Sequence, residues 1–196
     1  MRKFPRMSWR DSDRIDRMPG YSPFIDGILS NTSLLKRLRP SELADPVATI
    51  RVRESTDSQL TNERAITNEK LFPLVRVALL YATDAIDESY RMASQISDDT
   101  AVYWCGMSHR RAGDFFNARS CFRRVGTHPV FELLHSRASA VSADVAKQWA
   151  WDPYLFVGMC EQEKFGDNKH STELIKLQRI EFETMFDYIW RKSVAL

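Results

Sequence analysis

The chain has no run of about 18 consecutive apolar residues, the length a membrane-crossing helix needs. Its best candidate, Leu71 to Ala82, is interrupted by Pro73 and Arg76. Cysteine is scarce: Cys105, Cys121 and Cys160 are an odd number with no Cys-x-x-Cys pair. That excludes a disulfide scaffold and zinc fingers or ribbons, and it leads us to expect a reducing, cytoplasmic setting. Glycine is scarce too. With Gly only at 20, 27, 106, 113, 126, 158 and 166, neither a Rossmann GxGxxG nor a Walker GxxxxGK[ST] loop can be written, so no cofactor is expected. There is no GxSxG elbow and no HExxH helix. Charge of one sign is not in excess: 28 Lys and Arg oppose 26 Asp and Glu, a formal net charge of +2. The chain as a whole therefore makes no case for nucleic acid. The opening Met1-Arg2-Lys3-Phe4-Pro5-Arg6 runs into Asp11, Asp13 and Asp16 rather than an apolar stretch, unlike a secretory signal or a transit peptide.

What is there reads as a folded chain, 43% hydrophobic and 28% charged. Residues 1–23 form a basic arm broken by Pro5, Pro19 and Pro23, suited to draping over the surface or docking on an acidic partner. Residues 24–69 are expected to be largely irregular, with one short helix through Leu34, Leu35 and Leu38. Within them Val47 to Arg53 alternates like a strand but has no second strand to pair with, so an extended connector is expected.

Residues 70–196 carry a helical pattern. Pro73 sits at the first turn of one helix and Asp84 is placed to cap the next. Asp98-Asp99-Thr100 opens a third, and Gly113-Asp114 makes the tight turn into a fourth, which stops at Gly126 and Pro129. Helices are expected from Phe131 to Val145, from Pro153 to Gly166, and from Thr172 onward. The last is apolar on two sides and so central to the core. The expected fold class is all-α, built of antiparallel helical hairpins.

Thr100 to Pro129 resembles a tetratricopeptide repeat. Gly106 in the first helix, Gly113-Asp114 at the turn, Ala118, Phe122 and the closing Pro129 follow that family's order. Thr83-Asp84 is a weaker echo of Gly113-Asp114. Cys105 stands where Leu is usual, His109 where Tyr is usual, and Trp104 is displaced. The segment around Tyr103-Trp104, His109-Arg110-Arg111 and Phe122-Arg123-Arg124 also resembles a family of unknown function. The repeat resemblance implies an α-α stack and a protein-interaction role.

Three constellations could carry chemistry. Cys105 and His109 are four apart on one helical face, with Cys121 a conceivable third ligand, but core packing explains them more simply and no metal is expected. Arg110, Arg111, Arg119, Arg123, Arg124 and His128 gather in a short stretch opposed only by Asp114. The helical wheel puts Arg111 and Arg124 on the solvent side. Guanidinium forks at this density suit an acidic peptide or ligand. Alternatively they pair internally with Glu161, Glu163, Glu181, Glu183 and Asp187. Finally, Glu163 and Glu181 sit on apolar faces, where a carboxylate is costly unless paired. With His109 they could form a small hydrolase-like site if all three converged. Trp149, Trp151 and Trp190 are expected in helix packing. The leading expectation is a scaffold or peptide-binding module. A helical enzyme comes second and nucleic-acid binding a weaker third.

Overall fold

The computed structural model describes residues 20–30, 37–40, 45–165 and 171–195. The basic arm up to residue 19 and most of the short helix expected near Leu34 lie outside them. The described residues form helices and loops with no strand: α1 (Pro23–Leu29), α2 (Pro46–Glu54), α3 (Asp57–Thr61), α4 (Pro73–Ala82), α5 (Ile86–Ala93), α6 (Asp99–Ala112), α7 (Phe115–Val125), α8 (Phe131–Ser139), α9 (Ala143–Ala146), α10 (Pro153–Phe165) and α11 (Ser171–Ser193). None of these helices is long and apolar enough to cross a membrane.

Proline marks the starts. α1, α2, α4 and α10 each begin on a proline, where the missing N–H is no loss and φ is already helical. Pro23, expected to break helices, starts α1 instead. The same chemistry overturns the extended reading of Val47 to Arg53. Asp45 accepts the Ala48 amide at 2.8 Å and Pro46 follows it, so the segment folds as α2. Its alternation is local coincidence: Val52 is buried, while Val47 and Ile50 face outward. Arg76 of α4 then caps the far end of α2, donating to the Val52 carbonyl and the Ser55 hydroxyl, both at 2.6 Å. α3 opens with a reciprocal Thr56/Gln59 capping box.

Helices α4 to α7 form two consecutive hairpins, and α6 is packed by α4, α5 and α7. α6 begins at Asp98, whose carboxylate accepts the Thr100 amide, and ends at Gly113 in the left-handed conformation, φ 81°. Asp114 caps α7 by accepting the Asn117 amide at 3.0 Å. The two helices touch where Gly106 meets Phe122. A Cβ at Gly106 would lie 2.7 Å from Phe122 Cε1, so only glycine permits this approach. Ala118, also expected at the contact, is fully buried. The turn between α4 and α5 differs from expectation. Asp84 does not cap α5; it takes a positive φ of 65°, and Ala85 holds the cap position without a side-chain bond.

Beyond Pro129 the expected helix from Phe131 to Val145 is two helices. The chain breaks after Ser139, and Ser142 recaps it by accepting the Val145 amide at 3.4 Å. α11 is central as expected, packing on α4, α8 and α10 and burying Leu177, Phe182, Met185, Ile189 and Trp190 among others. Tyr21 packs edge-on against Phe186 and Trp190 and donates its hydroxyl to Asp187. The chain's last described turn is pinned by an isolated antiparallel bridge between Ile66 and Val194. Trp151 and Trp190 are buried as expected. Trp149 is not: it is 96% exposed.

Candidate functional site

The basic run divides into buried and exposed halves. Arg110 is buried and donates two bonds to the Glu181 carboxylate, the Nη1 bond at 3.0 Å. Its guanidinium carbon lies 4.1 Å from the centroid of the Phe156 ring. The Tyr103 hydroxyl donates to Glu181 at 2.8 Å and accepts from the Trp151 indole N–H at 2.8 Å. Burial alone would lower the Arg110 pKa, but the charge and bonds of Glu181 outweigh it and hold the guanidinium protonated. Tyr103 is pushed well above its ordinary value by burial and by Glu181.

Arg111 corrects the helical-wheel expectation most sharply, being 1% exposed rather than on the solvent side. It donates to the Tyr81 carbonyl at 3.0 Å and to Asp84 at 2.5 Å. One guanidinium thus satisfies a terminal carbonyl of α4 and anchors the strained residue of the following turn. Arg119 pairs with Glu161 across α7 and α10 at 2.6 Å, both half-exposed. His128 is also internal. Its Nδ1 accepts the Val130 amide at 3.3 Å, which leaves the proton on Nε2, 3.2 Å from Thr100 Oγ1. Tyr103, Phe131 and Tyr188 surround it. Burial lowers its pKa against the opposing pull of Asp98 and Asp99. Of the six residues expected to make a basic face, only Arg123 and Arg124 are exposed.

The residues of the expected hydrolase-like site lie in three separate clusters. His109 is 3.3 Å from Asp114 and packs edge-on against Tyr90. Glu181 belongs to the Arg110 node. Glu163 accepts the Ser171 hydroxyl at 2.5 Å. Among the described residues no group of three or more His, Cys, Asp or Glu is placed to hold a metal ion.

Two of the singled-out cysteines and Arg124 do share a feature, a groove of about 550 Å³ over the face of α6 between α5 and α7. Val102 and Cys105 of α6 line it together with Cys121 of α7. α5 contributes Tyr90 and Ala93, with Ser94 capping its end; Asp98 and Asp99 stand at the start of α6, and Arg124 belongs to the last turn of α7. The volume is in the range of sites that hold small ligands or a few side chains. Burial raises the Cys105 thiol to about 12 and the Cys121 thiol in the same direction. Both stay protonated near neutrality, poor nucleophiles and poor metal ligands.

Reading Asp98 and Asp99 as a helix cap leaves the acidic part of this groove out of the sequence-based expectation. A cap needs one carboxylate, and the doublet was the available signal. Comparison with protein-family models, with curated proteins and with solved structures returns no match to this chain.

Proposed function

We propose that the chain is a non-enzymatic helical interaction module, tetratricopeptide-like in its α4–α7 hairpins, that binds an acidic peptide or ligand at the α5–α6–α7 groove. The observation that carries this reading is the pair Arg123 and Arg124. They are exposed and make no ion pair among the described residues, and Arg124 lines the groove. Arg110, Arg111 and Arg119 are occupied within the fold and drop out of the binding surface. The close contact of Gly106 and Phe122, the small Ala118 and the Gly113-Asp114 turn support the repeat-like reading of the second hairpin.

The test is fluorescence anisotropy with labelled hexaglutamate at low salt, against the protein and against the Arg123→Gln/Arg124→Gln variant. Saturable binding that the variant loses is expected. Absence of binding, or binding that the variant retains, overturns the proposal.

A further inference from the structure

Among the described residues several ion pairs tie one helix to another element, among them Arg110 with Glu181, Arg111 with Asp84, Arg119 with Glu161, Arg137 with Glu183. The groove breaks that pattern at both signs. Asp98 commits one oxygen to the Thr100 amide at 2.8 Å, and neither Asp98 nor Asp99 has a cationic partner among the described residues. Arg124 likewise has no anionic one. The start of α6 contributes about half a positive charge through its dipole, which leaves the two carboxylates net negative. A ligand bearing acid alone would satisfy Arg124 while bringing like charge toward Asp98 and Asp99, a juxtaposition that selects against wrong partners.

We infer that the groove takes a dipolar peptide segment, with an acidic side chain at Arg124, a lysine or arginine at Asp98 and Asp99, and an apolar residue between them on Val102 and Cys105. This rests on the binding reading above and names its specificity. Charge complementarity within one groove selects this occupant over a uniformly acidic one. Neutral peptides would leave both poles unmatched.

Three labelled peptides separate the outcomes: acetyl-Lys-Ala-Leu-Glu amide, its reversed order acetyl-Glu-Leu-Ala-Lys amide, and acetyl-Glu-Ala-Leu-Glu amide. At least one dipolar peptide is expected to bind about tenfold or more tighter than the all-acid one. Asp98→Asn/Asp99→Asn should abolish that preference, and because Asn caps helices as well as Asp, the variant keeps its fold, checked by circular dichroism. Arg124→Gln should weaken all three. Equal or tighter binding of the all-acid peptide overturns the dipolar inference while leaving the acidic-ligand reading standing. Dipolar preference that survives Asp98→Asn/Asp99→Asn also overturns it. Failure of every peptide to bind overturns the dipolar inference as well, and the hexaglutamate titration then decides the acidic-ligand reading.

Discussion

Arg110-Arg111 and Arg123-Arg124 occupy equivalent places, each an adjacent pair in the last turn of one helix of the same hairpin. Both suit the negative end of the helix dipole. Yet the first pair is buried and the second exposed. The difference comes from what surrounds each helix. α6 is enclosed by α4, α5 and α7, while α7 packs mainly on α6 and α10. On the more enclosed helix neither arginine lies on the face left open at the groove, and each finds an internal acid. Arg110 turns to α11 and Arg111 to the α4–α5 turn. On the outer helix the same dipeptide remains in water. Local sequence sets the charge; the number of neighbouring helices sets what that charge does.

Breaking the buried pairing should have the largest effect. Glu181→Ala leaves Arg110 uncompensated in the core and is expected to cost about 3–5 kcal/mol in urea unfolding. The Arg110→Met/Glu181→Leu double variant should recover most of that loss, since removing both charges leaves neither unpaired. A double variant no more stable than Glu181→Ala would show that the pair is not the cause.

The hairpin contact that creates this enclosure comes next. Gly106→Ala should destabilise by about 1–3 kcal/mol through its clash with Phe122. In a Phe122→Leu background the clash is relieved, so the same change should become neutral or gain up to about 1 kcal/mol of helix propensity. Thermal denaturation of the four proteins decides it. Destabilisation of equal size in both backgrounds would remove the close approach as the reason for glycine.

His128 gives a smaller, pH-dependent term. Its folded pKa lies below the ordinary 6.5, so the unfolded chain binds the proton more readily. Its contribution is complete above the unfolded pKa and is lost as pH falls through the folded one. Chemical denaturation between about pH 7.5 and about pH 5.5 should show stability falling on acidification, with a shallower fall in His128→Asn. The exposed pair should matter least. Arg123→Gln/Arg124→Gln is expected to change stability by about 0.5 kcal/mol or less, measured by the same denaturation. A loss comparable to that of Glu181→Ala would erase the distinction between the two arginine pairs.

The sequence disclosed the helical class and the second hairpin because their signals are local: a capping aspartate at 98, a left-handed glycine at 113, a small residue against an aromatic at 106 and 122. It misplaced Arg111 because a helical wheel assumes one solvent face. The uninterrupted apolar run Tyr103-Trp104-Cys105 just upstream already showed α6 buried on several sides. It misread Val47 to Arg53 because two-residue alternation over seven residues is too short to outweigh an Asp-Pro start. Asp84 was unreadable as a clamp, since its partner lies two helices away. Beyond the Asp98-Asp99 doublet the groove leaves no local sign, because no single helix of the three that line it carries the pattern.

Chain order gives the two buried pairs different histories. Asp84 precedes Arg111 by 27 residues, so that pair is complete as soon as α6 has been made. Arg110 must wait for Glu181, 71 residues later. At ordinary translation speeds the interval is on the order of ten seconds. Throughout it Glu181 has not been made, and burying the guanidinium without it is costly. While the chain is being made, the α4–α7 hairpins can thus be joined to each other before Arg110 has its acid, and emergence of α11 is what supplies it.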